Sequence, residues 1–197
     1  MERPLPPDGE VMARAAQGDT SARSALVEQH RGAVYRLLRR LARDDAQAED
    51  LTQETFLTAL EHLGAWRGEG TARGWLLSIA RSRWLMARRA PAARQEPAAD
   101  ASLEQLGLAA GWGTPMDPEA LASRLEQRQV LERALASLDD EAREVLTLRE
   151  LEELSGEETA QVLGLSVAAM KSRLHRARLA LVASVKKTPS EKGAAHG

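Results

Sequence analysis

Residues 163–179 read LGLSVAAMKSRLHRARL, and this run decides the class of the fold. Gly164 breaks a short helical stretch that begins near Glu157, and Ser166 is placed to cap the helix that follows. In that second helix Val167, Met170, Leu174, Ala177 and Leu181 recur at spacings of 3, 4, 3 and 4, which makes one apolar stripe. Lys171, Ser172, His175 and Arg178 fall on the other faces, with Arg173 and Arg176 at the flanks, and the run holds no carboxylate. A helix pair joined by a tight glycine turn, with the second helix apolar inside and basic outside, is the arrangement that enters the DNA major groove. A plain helical hairpin with a solvated charged face is the competing reading. The unmixed basic face weighs against it, because a solvated face normally mixes both signs.

The wider composition agrees with an all-α protein. The chain has 197 residues, is 43 % hydrophobic and 28 % charged, and is rich in alanine, leucine, arginine and glutamate without alternating runs. It has no cysteine, which excludes disulfides, thiolate metal sites and a cysteine nucleophile. His30, His62, His175 and His196 fall into no ligand spacing, so neither a metal nor another cofactor is expected. No run approaches the roughly 18 apolar residues of a membrane span. The opening MERPLPPDGE lacks the pattern of a signal peptide, so a cytoplasmic location without membrane insertion is expected.

The net charge of -2 conceals a segregation of signs. Residues 71–90 carry five arginines and no acid, and residues 95–119 carry five acids and no base. Residues 139–158 carry nine acids against two arginines, and residues 166–187 six bases against none. The acidic block reads equally well as helix N-terminal chemistry on a solvated face or as a surface that docks a basic partner or repels DNA from the wrong side.

Along the chain, Ser21 is expected to cap a helix with Ala25, Leu26, His30, Val34, Leu37, Leu38 and Leu41 on its inner face. A second helix is expected over about 46–63 with Leu51, Phe56, Leu57 and Leu60 inward, and a third over about 72–89 after the loop GAWRGEGT. Counting all elements, the first 90 residues read as about four helices. The boundaries are a first helical domain at 1–92, a flexible linker at 93–118, a second helical domain at 119–187 and a disordered tail at 188–197.

AEDLTQETFLTAL from Ala48, the glycine loop, WLLSIAR from Trp75, the proline-rich linker, and LTLRELEELSGEETAQVLGLSVAAMKSRLHRARLAL from Leu146 follow in order. Together they closely resemble the extracytoplasmic-function (ECF, group 4) class of the sigma-70 family of bacterial transcription initiation factors. The resemblance implies that the first domain is sigma region 2, with Asp50, Gln53 and Glu54 docking on the clamp helices of core RNA polymerase. It implies that Trp66, Arg67, Gly68 and Thr71 of the loop, with Arg73, Arg81, Arg83, Arg88 and Arg89, meet and help melt the minus-10 element. A base flipped from the stack needs stacking surfaces, and the exposed strand needs cations.

By the same resemblance the second domain is sigma region 4, contacting the polymerase flap and placing Ser166, Ala168, Ala169, Lys171, Ser172, Arg173, His175, Arg176 and Arg178 at minus-35 DNA. It also implies a linker that threads the polymerase channels, and an anti-sigma factor as partner. Gly156 and His30 stand where the family commonly has aromatics, and Ser82 where it often has asparagine. Trp75 is expected in the core, and Trp66 either in the core or in base stacking or pocket formation; Trp84 and Trp112 receive no role. The chain is thus read as a non-enzymatic sigma factor directing polymerase to a subset of promoters. The rival readings are a helix-turn-helix regulator that binds DNA without polymerase, and a sigma-like protein that only sequesters a partner.

Overall fold

The computed structural model describes residues 8–42, 44–68, 70–89 and 129–187. Among them every regular element is helical. The order is α1 (Asp8–Ala16), α2 (Thr20–Leu41), α3 (Asp45–Glu61), a short 3-10 turn (Leu63–Ala65) and α4 (Ala72–Arg89). There follow α5, helical over the described residues 129–136, then α6 (Asp140–Leu146), a π-turn (Thr147–Leu151), α7 (Gly156–Leu163) and α8 (Val167–Lys187). The linker, Trp112, the beginning of the second domain and the tail after Lys187 lie outside the described residues.

Local chemistry sets the helix starts. Asp19, not Ser21, caps α2: its Oδ1 accepts from the Ala22 amide at 3.1 Å, and Arg14 clamps Oδ2 from α1. An aspartate held by a guanidinium outcompetes the neutral hydroxyl two residues on, because the helix N-terminus favours negative charge. Asp44 caps α3 through the Gln47 amide and Asp139 caps α6 through the Ala142 amide. Buried Thr52 and Thr55 fit inside α3 because each hydroxyl donates to the carbonyl four residues back, at Ala48 and Leu51.

The first half packs α2, α3 and α4 against one another, with α1 laid across α2. Leu26, Val34, Leu37 and Leu38 of α2 meet Leu51 and Phe56 of α3 and Leu76, Leu77 and Trp84 of α4 in the core. His30 is buried among them, its Nε2 3.9 Å from Asp8 Oδ1. Two expectations change here. Leu57 is 62 % exposed, because it follows the inward Phe56 and turns onto the face that bears Gln53. Trp84, without a role in the sequence, is buried, and its Nε1 donates to the Leu41 carbonyl at 2.8 Å.

In the second half α6 packs on α8 and α7 on α8. After the π-turn the chain bends through Glu153, a non-glycine residue at φ 53°, into α7. Ser155 accepts from the Glu158 amide while Glu158 accepts from the Ser155 amide, a complete capping box that holds the helix start despite Gly156. Gly164 ends α7 at φ 66°, the left-handed conformation that glycine adopts without penalty. Ser166 then caps α8 through the Ala169 amide at 3.2 Å, as expected. Met170, Leu174 and Ala177 are buried and Leu181 packs against the core, whereas Val167 is 38 % exposed at the first turn.

The halves also touch each other. α4 lies against α7 and α2 against α6, and buried residues from both halves form one contiguous apolar cluster.

Candidate nucleic-acid interface

The stripe of α8 that faces the core fixes which side is free. Ser166, Ala168, Ala169, Lys171, Ser172, His175 and Arg176 are all exposed on that side. Arg173 and Arg178 differ, since Arg173 pairs with Glu141 at 3.1 Å and Arg178 with Glu150 at 2.6 Å. Lys171 and Arg176 meet no carboxylate among the described residues. The free side of α8 therefore presents cations and small side chains, which suits both phosphate neutralisation and close approach to base edges.

α4 carries the second set of cations, and here the sequence missed an arrangement. Arg73, Arg81 and Arg88 are spaced 8 and 7 residues apart, about two helical turns each, so they fall on one side of the helix. That side faces the acidic block of the second half. Arg81 donates through Nε to Glu144 at 2.8 Å, and Arg88 pairs with Asp140 at 2.6 Å. Arg73 pairs with Glu152, which also receives Arg36 of α2 through Nε and Nη2, each at 2.9 Å. Arg83, Arg89 and the loop residue Arg67 stand off that side and meet no carboxylate among the described residues.

The Glu152 side chain is 0 % exposed, and both guanidinium partners come from the first half. The hydrogen bonds that Arg36 donates to Glu152 raise the affinity of Arg36 for its proton. Burial pushes the Glu144 carboxyl above its ordinary 4.5, and the Arg81 guanidinium draws it only part of the way back. Thr71 donates to Glu158 Oε1 at 2.6 Å, and this contact holds the Glu158 carboxyl below its ordinary value.

In the loop before α4, Gly68 and Gly70 adopt φ of 78° and 72°, and Arg67, Gly68 and Thr71 are exposed. Trp66 is half-buried against the core and reaches toward Gly9 of α1, with its Nε1 buried and without a hydrogen-bond partner among the described residues. Trp75 is also half-buried against the core. Arg88 sits over the Trp84 ring at 4.9 Å.

On α3 the structure brings Asp50, Gln53 and Glu54 onto one exposed face. A groove beside them is lined by Val27, Arg31, Tyr35, Gln53, Phe56 and Leu57. The apolar floor was invisible to the helical periodicity of α3 alone, since half of it comes from α2. No cluster of potential metal ligands occurs among the described residues, nor is any described helix long and apolar enough to cross a membrane.

Comparison with known proteins matches residues 26–94 to "Sigma-70 region 2" and residues 128–181 to "Sigma-70, region 4". The chain is 32 % identical over 180 residues to the "RNA polymerase sigma-H factor" of Pseudomonas aeruginosa, covering 88 % of this chain and 91 % of the relative. It belongs to the sigma-70 family. Similarity to the "ECF RNA polymerase sigma-E factor" of Escherichia coli K12, 31 % identical with 88 % of this chain and 92 % of that one covered, places this sigma factor in the extracytoplasmic-function class. A solved structure of CnrH with the cytosolic domain of CnrY is similar at TM-score 0.67 and 27 % identity, over 92 % of this chain and 99 % of that one. The protein is thus an RNA polymerase sigma factor, and a regulator acting without polymerase is disfavoured.

Proposed function

We propose that this sigma factor divides promoter recognition between α4 and α8 and binds polymerase through α3. On this reading 1–92 is the region 2 unit, 119–187 the region 4 unit, and 93–118 the tether between them. The Asp50, Gln53 and Glu54 face with the neighbouring groove takes the polymerase clamp. The loop from Trp66 to Thr71 and the α4 arginines take the minus-10 strand, and the free side of α8 takes the minus-35 duplex. The observation that carries this is the α8 surface: Met170, Leu174 and Ala177 are buried behind, while Lys171, His175 and Arg176 are exposed in front.

Each reader alone makes few contacts, so useful affinity comes from linking them through polymerase, which raises effective concentration. No step of bond making or breaking is assigned to the protein. An anti-sigma partner is also part of this reading, supported by the similar structure of CnrH in complex with the cytosolic domain of CnrY.

The test is transcription in vitro with core polymerase on a promoter library. Selective initiation is expected only when both proteins are present. Arg176→Ala should weaken dependence on the minus-35 sequence by roughly 5- to 100-fold, as expected for one lost base or phosphate contact, and leave core binding intact. Operator-like duplex binding by the chain alone, with no response to core enzyme, would refute the reading.

A further inference from the structure

We propose that Glu150 is a positioning residue for promoter recognition. By holding Arg178 it keeps one cation off the DNA backbone and, together with Glu141 on Arg173, fixes the roll of α8, so that binding depends on base edges more than on charge. The inference rests on the assignment of α8 to minus-35 DNA proposed above and deepens it, since it says how that surface discriminates between sequences.

The helix is tied on both flanks. Arg173 Nη2 lies 3.1 Å from Glu141 Oε2 of α6. Arg178 donates through Nε at 3.1 Å and Nη2 at 2.6 Å to one oxygen of Glu150 in the π-turn. All four residues belong to the second half, so neither tie depends on contact with the first. Arg173 precedes the buried Leu174 and Arg178 follows the buried Ala177, which sets them about 140° apart around the helix, one on each edge of its apolar stripe. A helix resting on an apolar stripe alone can roll, whereas one tied at both edges cannot roll without stretching a tie.

Roll matters on the scale of a hydrogen bond. Side-chain tips stand about 5–6 Å from a helix axis, so a roll of about 20° carries them about 2 Å sideways. A hydrogen bond to a base edge tolerates a shift of about 0.5 Å. A lysine on its flexible stem follows a phosphate through a larger one. A loosened roll therefore costs Ser172 and His175 their base edges before it costs Lys171 a phosphate.

The Glu150 pair also sets the charge that the helix offers. Lys171 and Arg176 meet no carboxylate among the described residues, whereas the Nε–Nη2 edge of Arg178 is occupied. That edge is one a guanidinium can turn to a phosphate. The Arg178 and Glu150 side chains are 55 % and 44 % exposed, and a pair so open to water adds little to stability. A carboxylate kept beside a surface for a polyanion therefore acts on binding. Phosphate contacts raise affinity for every sequence alike, so a cation withheld from them lowers non-specific binding and leaves the choice to the base edges.

The variants are Glu150→Gln, Arg178→Gln and the two combined, each as the full chain assembled with core polymerase. The probes are a promoter recovered from the library with the unaltered chain, and the same promoter with its minus-35 element scrambled. Affinity for each is measured over a series of salt concentrations, and circular dichroism reports folding. Glu150→Gln should bind the scrambled probe about 3- to 10-fold more tightly at low salt and steepen the slope of log K against log salt by about 0.9. It should also cut the ratio of specific to scrambled affinity by about fivefold. Arg178→Gln should cut the ratio by a similar factor without steepening the slope. Adding Glu150→Gln to it should steepen nothing further, because the glutamate acts through the arginine.

An unchanged slope in Glu150→Gln overturns the withheld cation, and an unchanged ratio overturns the positioning. A flatter slope in Arg178→Gln also overturns the proposal, because Arg178 then already holds a phosphate. Should Glu150→Gln lose helicity, Arg178→Gln decides by the same slope and ratio. Slopes are taken as well with the free chain on a mixed-sequence duplex. If the library shows no dependence on the minus-35 sequence, the assignment of α8 falls, while a steeper slope in Glu150→Gln still upholds the withheld cation. If that dependence is present and Glu150→Gln alters neither slope nor ratio, the proposal alone falls.

Discussion

Trp84→Phe tests how α4 is held, and its cost can be worked from the geometry. Leu41 ends α2, where the last carbonyls have no partner within the helix. The Trp84 indole reaches across and donates to the Leu41 carbonyl at 2.8 Å, so one side chain both fills the core and satisfies a helix end. Phenylalanine keeps most of the apolar contact and removes the donor. Leaving a buried acceptor unpaired costs about 1–3 kcal/mol, and the smaller ring adds a modest void, for a sum of about 2 kcal/mol. Arg88 is half exposed over the ring, so its contact adds no more than about 0.5 kcal/mol. Trp84→Ala should cost about 3–5 kcal/mol.

The assay is equilibrium unfolding in urea followed by far-ultraviolet circular dichroism, which does not depend on the tryptophan removed. Trp66→Phe is the matched comparison. Its indole nitrogen has no partner among the described residues, so no hydrogen bond there is lost and the change should cost less than Trp84→Phe. If Trp84→Phe shifts stability by less than about 0.5 kcal/mol, or if Trp66→Phe costs more, the account of Trp84 as the cap that fixes α4 on α2 is refuted.

Two further outcomes follow from the fold. His30 is buried, which lowers its pKa below the ordinary 6.5; Asp8 opposes this shift and Arg73 reinforces it. A depressed folded-state pKa means stability that is complete above about 6.5 and falls as the pH drops through the folded value, because the unfolded chain takes up the proton more readily. Urea unfolding at successive pH values from neutral to mildly acid should show that loss, and His30→Phe should reduce it; an unchanged acid slope would count against a buried neutral imidazole. Glu153 holds φ at 53°, where a side chain is strained and glycine is not. Glu153→Gly should raise stability by up to about 1 kcal/mol after the entropic cost of glycine, and a clear loss in thermal unfolding would show that the carboxylate holds something the strain account omits.

Much of this architecture was readable before any coordinates. The span of α4, the glycine turn at Gly164, the Ser166 cap and the buried Met170, Leu174 and Ala177 follow from periodicity and local hydrogen bonding, which are properties of neighbouring residues. α1 escaped specific assignment because it is short and gains its burial from α2. Leu57 misled because adjacent Phe56 and Leu57 cannot both face inward, and spacing alone does not say which does. The acidic block was read with equal weight as helix-start chemistry or as a docking surface, and its contacts were hidden: Glu152 and Arg73 are 79 residues apart, and no one-dimensional pattern pairs them. The roles given to the α3 and α8 residues came from resemblance, while the pairing of Arg73, Arg81 and Arg88 with carboxylates of the second half came only from the fold.

One small chain of contacts carries further than its size suggests. The Thr71 hydroxyl accepts from the Gly74 amide at 3.1 Å, so it starts α4, and it donates to Glu158, whose other oxygen accepts from the Ser155 amide at 2.9 Å and so starts α7. Two helix beginnings in separate parts of the gene product are thereby written in a shared grammar. Drift at Ser155 is not a private matter of the second half: a weakened cap there loosens the carboxylate on which the first turn of α4 leans. Selection on the start of α4 therefore constrains the punctuation of α7.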